Sequence, residues 1–420
     1  MPVTQTTPKP LNRYTLDINQ VTHALADSLD LVGVDDVGHG KRVAFMADAC
    51  GRVMGLDAGQ RDFLFDAAIL HDCGVSSTSL HQKLVTQLDY SNAAVHCIRG
   101  ALLLEGVEPY APLAPVVRLH HTHWSQLVAD GVPEETAVMA NVIFMTDRAD
   151  AFAAQVGGSG TREQRRTVRD LIARLSGEHF APHLVEAFLA ASAHDGFWLM
   201  QERDALCTNV SLRLNDSRPV SMTFGQLRQL AAIFSNVVDT KSPFTQEHSL
   251  GVSRLARRLA EWSGLPASAC DQVEIAGLLH DLGKLRVPDE ILDKPGPLDD
   301  DEVEVIHRHS YDSYQILRRV EGWERIARWA GMHHEALSGE GYPFHYHGEE
   351  IGLEARIIIV ADVFQALTQN RPYRASLPPE RVLAIMRDMV GERRIDGELV
   401  ELVAGRMEEC LVAAVVHTND

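Results

Sequence analysis

Seven residues in the C-terminal half have the types and order of a divalent-metal centre: His248, His280, Asp281, His309, the adjacent pair His333 and His334, and Asp362. Neutral imidazoles and carboxylates bind borderline divalent ions, whereas structural zinc and iron-sulfur sites draw on thiolates, which this set lacks. Adjacent residues on a helix diverge by about 100 degrees, so His280 and Asp281 share one ion only at a helix end, or with the carboxylate reaching between two ions. Seven donors exceed one coordination sphere. A two-metal centre bridged by Asp281 is the economical reading, and its chemistry is the hydrolysis of a phosphate ester by an activated water. Any one of these histidines alone reads as a surface or hydrogen-bonded side chain. Their ordering behind the apolar flanks "AGLLHD" and "RIIIVAD", and their recurrence elsewhere in the chain, lift the set above that reading.

The recurrence is in the N-terminal half, where His39, His71, Asp72, His96, His120, His121 and Asp147 repeat all seven types in order. His39 and His248 lie 209 residues apart, as do His71 and His280. His96 and His309, and the two His-His pairs, lie 213 apart, and Asp147 and Asp362 lie 215 apart. Small insertions account for the drift, and "FAPHLVEAF" from Phe180 matches "IDGELVELV" from Ile395 at the same final offset of 215. The sequence therefore predicts an internal duplication, with roughly 15–190 set against 224–405.

The elements that must hold these residues are helices. Apolar positions recur at three-and-four spacing, as in Ile18, Val21, Leu25 and Leu29 and again in Leu227, Leu230, Phe234 and Val238, and alternating strand patterns are scarce. An all-α chain follows, with one domain over 1–196, a polar, turn-rich segment over 197–222 expected to be a linker or a short strand pair, and a second domain over 223–420. The Pro/Thr-rich stretch before residue 15 reads as a frayed tail.

Composition narrows the function classes. A net charge of -19 opposes general binding to nucleic acid or anionic membranes, since the phosphate term would be repulsive. No apolar run approaches the roughly 18 residues that span a bilayer, and "MPVTQTTPKP" lacks the apolar core of a secretion signal, so a cytoplasmic protein is expected. Six cysteines without a CxxC pair fit reduced, buried thiols. Cys73 and Cys97, each beside a candidate ligand, invite a redox reading, against which an inert buried thiol is the plainer one.

The stretches "LLHDLGKLRVPDEILDKPGPL" from Leu278, "IHRHSYDSYQIL" from Ile306, "HHEALSGEGYP" from His333, "RIIIVADVFQALT" from Arg356 and "NRPYR" from Asn370 together resemble the HD-GYP family of HD-superfamily metal-dependent phosphohydrolases, the cyclic-di-GMP phosphodiesterases. The resemblance implies tandem HD and HD-GYP domains. It implies one ion held by His248, His280, Asp281 and Asp362, and a second held by His309, His333 and His334 with Asp281 bridging, iron or manganese being the family's metals. Lys284, Arg371 and Arg374 would face substrate phosphates, and the loop of Gly339, Gly341, Tyr342 and Pro343 would line the substrate pocket. Three positions depart from the family pattern: Ser338 after HHExx, Gln365 in "VFQAL", and "IDG" for the usual FDP. Some members hold a third ion with a glutamate four residues before the first histidine; here that residue is Phe244, which favours two ions, with Glu247 nearby.

In the N-terminal half Val75 takes the place of Lys284, and neither the GYP loop nor an RPYR stretch has a counterpart. If such a lysine stabilises the transition state as charged groups facing phosphates commonly do, its loss removes about 2–4 kcal/mol. That half is expected to be a metal-bound sensory or structural domain, with a second hydrolase and a folded relic as rivals. For the whole chain the expectation is a phosphodiesterase opening cyclic-di-GMP to linear pGpG and then GMP. The alternatives are a 3′,3′-cGAMP phosphodiesterase and a non-catalytic cyclic-dinucleotide-binding module, and a homo-oligomer is compatible with each.

Overall fold

A computed structural model describes residues 13–32, 38–75, 77–87, 92–157, 160–239, 241, 248–369 and 376–414. The helices follow the apolar spacing: Val21 and Leu25 on one segment, and Leu227, Leu230, Phe234 and Val238 on another, are buried. Starts are set by local chemistry, since Asp57 with Gln60 and Asp299 with Glu302 form reciprocal capping boxes at Ala58–Ile69 and Asp300–Leu317.

The duplication is visible helix by helix. His39–Val53 answers to His248–Trp262, Ala58–Ile69 to Ala267–Leu279, Ala93–Glu105 to Asp300–Leu317, Glu134–Val156 to Leu353–Thr368, and Pro182–Ala191 to Gly397–Ala404. It also extends past the boundary read from sequence. Strand β1 (Arg13–Asp17) pairs antiparallel with β2 (Pro219–Thr223), and Thr15 faces Ser221. Each strand runs directly into a helix, Ile18–Leu29 or Phe224–Asp239, so equivalent strands of the two copies pair about a local two-fold.

Residues 13 and 14, expected to be tail, are thus strand, and 1–12 lie outside the described residues. The segment 197–222 carries most of the short helix Asp195–Leu199, the helix Arg203–Leu214 and all of β2 but its last residue. Strand β2 lies in the segment expected to be a linker or a short strand pair, but its partner is β1, 206 positions away, because a five-residue strand of this kind is specified by what it pairs with. The apolar core is continuous across both halves. Tyr14 Oη donates to Asp271 at 2.5 Å, the Glu321 N–H donates to Gln20 Oε1 at 2.7 Å, and Arg319 pairs with Asp27.

One buried ionisable group of this core makes a pH prediction. His23 lies on Ile18–Leu29 with its ring 6.1 Å from Phe65, and burial pushes its pKa from 6.5 down to about 4, with Asp27 opposing and Lys41, Arg213 and Arg218 reinforcing. Between those values the unfolded chain binds a proton that the folded chain refuses, so stability falls as pH falls through 6.5 toward 4. At pH 5 the loss is about 2 kcal/mol. Urea melts should show the parent protein losing about 2 kcal/mol more than His23→Leu between pH 7.5 and 5. Equal losses would exclude His23 as the source.

Candidate metal centres

In the C-terminal half the donors come from helix ends and two helix interiors. His248 opens His248–Trp262, and His280 and Asp281 sit in the turn that ends Ala267–Leu279 before the 3-10 segment Leu282–Arg286. His309 projects from Asp300–Leu317, His333 and His334 follow Glu324–Gly331, and Asp362 lies within Leu353–Thr368. The helix end at His280-Asp281 lets two adjacent side chains turn into one site.

The two oxygens of Asp281 divide the histidines. Oδ2 lies 3.5 Å from His248 Nε2 and 3.3 Å from His280 Nε2, while Oδ1 lies 3.5 Å from His309 Nε2 and 3.6 Å from His333 Nε2. Asp362 Oδ1 closes the first group, 3.2 Å from His248 Nε2. His334 completes the second, with one nitrogen within 4.8 Å of those of His309 and His333. All seven residues read from the sequence are therefore brought together, in two groups with Asp281 between them.

The rings are pre-set as acceptors. Nδ1 of His280 donates to the Gly277 carbonyl at 2.7 Å, that of His309 to Ile306 and that of His333 to Ala330 at 2.6 Å, which leaves each Nε2 with its lone pair inward. Burial pushes His309 down to about 3, His334 to about 4 and His333 well below the ordinary imidazole range, so these rings are neutral. Burial raises the Asp281 carboxyl, but His280 and Lys284 outweigh it and hold it well below the carboxylate range. Asp281 Oδ1 is buried and, among the described residues, accepts no hydrogen bond. A desolvated carboxylate oxygen among imidazole lone pairs is costly without a cation, so this donor set fits divalent ions.

Lys284, on the 3-10 segment, donates to Asp281 Oδ2 at 2.6 Å and is part-exposed. The Gly339–Pro343 loop closes over the second group: the Tyr342 ring lies 4.8 Å from that of His334 and stacks on His307 at 3.7 Å and 15°. Gly341 is required there, because a Cβ would stand 2.3 Å from the Ala336 nitrogen. Arg371 and Arg374, like Phe244 and Glu247, lie outside the described residues.

The sequence reading missed Glu335, and it named Gln365 only as a departure from the family pattern, without its contact to His248. Glu335, buried, accepts from the Phe344 N–H at 2.7 Å and the Tyr346 N–H at 3.0 Å, pinning the loop; its place directly after the His pair was the available signal. Gln365 accepts from His248 Nδ1 through Oε1. A neutral amide there makes the ring a weaker base than a carboxylate would, and losing such a partner typically shifts metal affinity 10–100-fold. Gln365→Glu is expected to tighten Mn²⁺ binding about tenfold and Gln365→Ala to weaken it comparably. Identical dissociation constants in calorimetric titrations would rule out that influence.

The N-terminal residues converge in the same way. Asp72 Oδ2 lies 3.4 Å from His71 Nε2 and 3.8 Å from His39 Nε2, and Oδ1 lies 3.2 Å from His96 Nε2 and 3.8 Å from His120 Nε2. Asp147 reaches His39 at 3.3 Å and His121 at 3.8 Å. Asp72 Oδ1 and His71 Nε2 are buried without hydrogen bonds among the described residues, so this donor set also fits a cation.

Its surroundings differ. Asp150, held by Arg42, takes the place of Gln365 behind His39. Buried Arg148 donates to Asp147 Oδ2 at 2.8 Å, where the second copy has Val363. Cys97 stands for Ser310, with Sγ 3.7 Å from His96 Nε2 and 3.8 Å from His120 Nε2. Burial pushes the Cys73 thiol up to about 12 and Cys97 higher, which makes both unreactive as thiols.

Comparison with known proteins places this geometry. The HD-domain family model matches residues 232–399. The chain is 36% identical over 401 residues to a protein named 3′3′-cGAMP-specific phosphodiesterase 1 in Vibrio cholerae, a match covering 94% of this chain and 93% of that one. It is 39% identical over 163 residues, 37% of this chain and 42% of the relative, to a cyclic di-GMP phosphodiesterase response regulator of Xanthomonas campestris. A crystal structure of a cyclic GMP-AMP-specific phosphodiesterase from V. cholerae superposes with a TM-score of 0.64 at 24% identity, covering 94% of this chain and 98% of that one, and shares the fold. Among the described residues no helix is long and apolar enough to cross a membrane.

Proposed function

Since this chain belongs to the HD-GYP family of HD-superfamily phosphohydrolases, we propose that it is a metal-dependent phosphodiesterase that opens a 3′,5′-linked cyclic dinucleotide at its C-terminal site. The observation that carries this reading is Asp281, whose two oxygens each face a different group of imidazoles. His248, His280, Asp281 and Asp362 would hold one ion, and His309, His333 and His334 with Asp281 the other, with iron or manganese suited to imidazole and carboxylate donors. When bound, such a pair supplies Lewis acidity toward phosphoryl oxygens and lowers the pKa of water.

The chain's own groups do the rest. Carbonyls behind His280, His309 and His333 fix their tautomers. Lys284, beside Asp281, offsets charge added to the phosphate in the transition state, with Arg371 and Arg374 as further phosphate contacts. Tyr342, against His334, offers an aromatic edge to a nucleobase, and Gly341 and Pro343 shape its loop. The N-terminal site, without an equivalent of Lys284, is a metal-bound sensory or structural unit, and the protein acts in the bacterial cytoplasm.

Both expected substrates have support. Relatives named for cyclic-di-GMP match over 163 and 152 residues, 37% and 35% of this chain, which fits opening of that ring to pGpG. Relatives whose matches span both halves are named for 3′3′-cGAMP, and this favours 3′,3′-cGAMP as the second reading. Chromatography of products from anaerobically prepared, iron- or manganese-loaded protein tests the proposal. Linear dinucleotide is expected from at least one of the two rings, and their kcat/KM ratio assigns preference. Tight binding of both rings with no product from either would leave the non-catalytic module.

A further inference from the structure

A third cluster of donors lies outside both constellations and belongs to the first copy alone. His123 precedes the helix Trp124–Ala129, and Glu178 and His179 occupy the turn between Arg162–Arg174 and Pro182–Ala191. One donor atom from each lies within 4.8 Å of the other two, and the imidazoles of His123 and His179 have centroids 4.0 Å apart.

The backbone beneath them is fixed. Trp124 N–H donates to the His179 carbonyl and Ser125 N–H to the Glu178 carbonyl, both at 3.0 Å, so the two segments that carry the donors are tied directly to one another. Buried Asn141 holds the same turn from below, donating to the His179 carbonyl at 2.8 Å and accepting from the Ala181 N–H at 2.9 Å. Phe144 stands between this cluster and the seven-residue site, with its ring 6.0 Å from His123 and 5.2 Å from His121.

The second copy keeps the framework without the donors. Leu337 N–H donates to the Arg394 carbonyl at 3.3 Å, the counterpart of the Trp124–His179 bond. The residues at those positions are Ala336, Arg393 and Arg394, none of which ligates a metal. One tertiary scaffold therefore carries two imidazoles and a carboxylate in one copy, and an alanine with two cations in the other.

We propose that His123, Glu178 and His179 form a separate divalent-cation site, of the His₂Glu type that zinc occupies with a fourth, solvent-filled position. Zinc held by such donors at about 2.0–2.2 Å needs them roughly 3.4 Å apart in a tetrahedron, which small side-chain rotations reach from the observed spacing. His179 is buried, His123 half-buried and Glu178 exposed, so the site combines rigid ligands with access from solvent. An ion there clamps the turn two residues beyond His121 to the Glu178–His179 turn, stiffening one wall of the first-copy constellation.

The test is zinc stoichiometry of the full-length chain, stripped with chelator and dialysed against Zn²⁺, then assayed by elemental analysis. His123→Ala and Glu178→Lys are each expected to bind one equivalent fewer than the parent protein. Asp281→Ala and Asp72→Ala should leave this equivalent in place. Zinc-edge anomalous diffraction should then give a peak between the three side chains. Glu178→Lys alters an exposed residue and keeps the test free of folding effects. Unchanged stoichiometry and zinc affinity in both His123→Ala and Glu178→Lys, or absence of the anomalous peak, overturns the site.

Discussion

Asp281→Ala is expected to abolish turnover and to empty both positions of the C-terminal centre, whereas Asp362→Ala should weaken one of them. The difference follows from geometry. Asp362 Oδ1 approaches His248 and, at 4.0 Å, His280, both of the first group. Asp281 presents Oδ2 to that group and Oδ1 to His309 and His333. Removing it deletes a ligand from each ion and leaves Lys284 without the partner it holds at 2.6 Å. Metal ions contribute several kcal/mol of transition-state stabilisation, and each 1.4 kcal/mol is tenfold in rate, so a loss of at least roughly 10³-fold in kcat is expected. Elemental analysis with product chromatography checks it. Two retained ions with turnover within tenfold of the parent would remove Asp281 from the bridge.

The convergence of the seven candidate residues was legible because each is a scarce residue type at a fixed place against an apolar flank, and because the pattern occurs twice. The divergence of adjacent helical residues left His280-Asp281 either at a helix end or with the carboxylate reaching between two ions, and the structure has the pair at a helix end. What surrounds the ligands was not legible. The carbonyls of Gly277, Ile306 and Ala330 that orient three imidazoles are backbone groups without a sequence signature. Gln365 lies 117 positions from His248, and its importance is set by tertiary approach alone. Arg148 reads as an ordinary helix-surface cation, yet it is buried and bonds the Leu84 and Gln87 carbonyls as well as Asp147. The pairing of β2 with β1 was not legible for the same reason, the two strands being the starts of separate copies.

These surroundings separate the two copies more than the ligands do. Where the second copy has Lys284 at Asp281, part-exposed, the first has Val75, 3% exposed, and its fixed cation is Arg148, buried at Asp147. Arg148 is saturated by its carboxylate and two carbonyls, so it is spent on structure. A cation able to turn toward a ligand's phosphate, among the described residues around these two centres, is therefore a property of the second site.

Lys284→Val transfers the first copy's residue into the second and isolates that cation. The expected result is a fall in kcat of roughly 10²–10³-fold with both ions retained, the usual cost of removing one preorganised charge from a phosphoryl-transfer site. Retention is expected because the ammonium competes with cations for Asp281 Oδ2, so its removal leaves a more available ligand. Lys284→Arg should recover part of the rate, since the charge returns on a longer, planar head. A role confined to orienting Asp281 would instead lower metal content along with activity in Lys284→Val. The reciprocal Val75→Lys is expected to gain nothing, because position 75 is packed in the core and no counterpart of the Tyr342 loop stands over His121. Turnover of Lys284→Val within threefold of the parent would show that phosphate charge is met elsewhere, with Arg371 and Arg374 the next residues to replace.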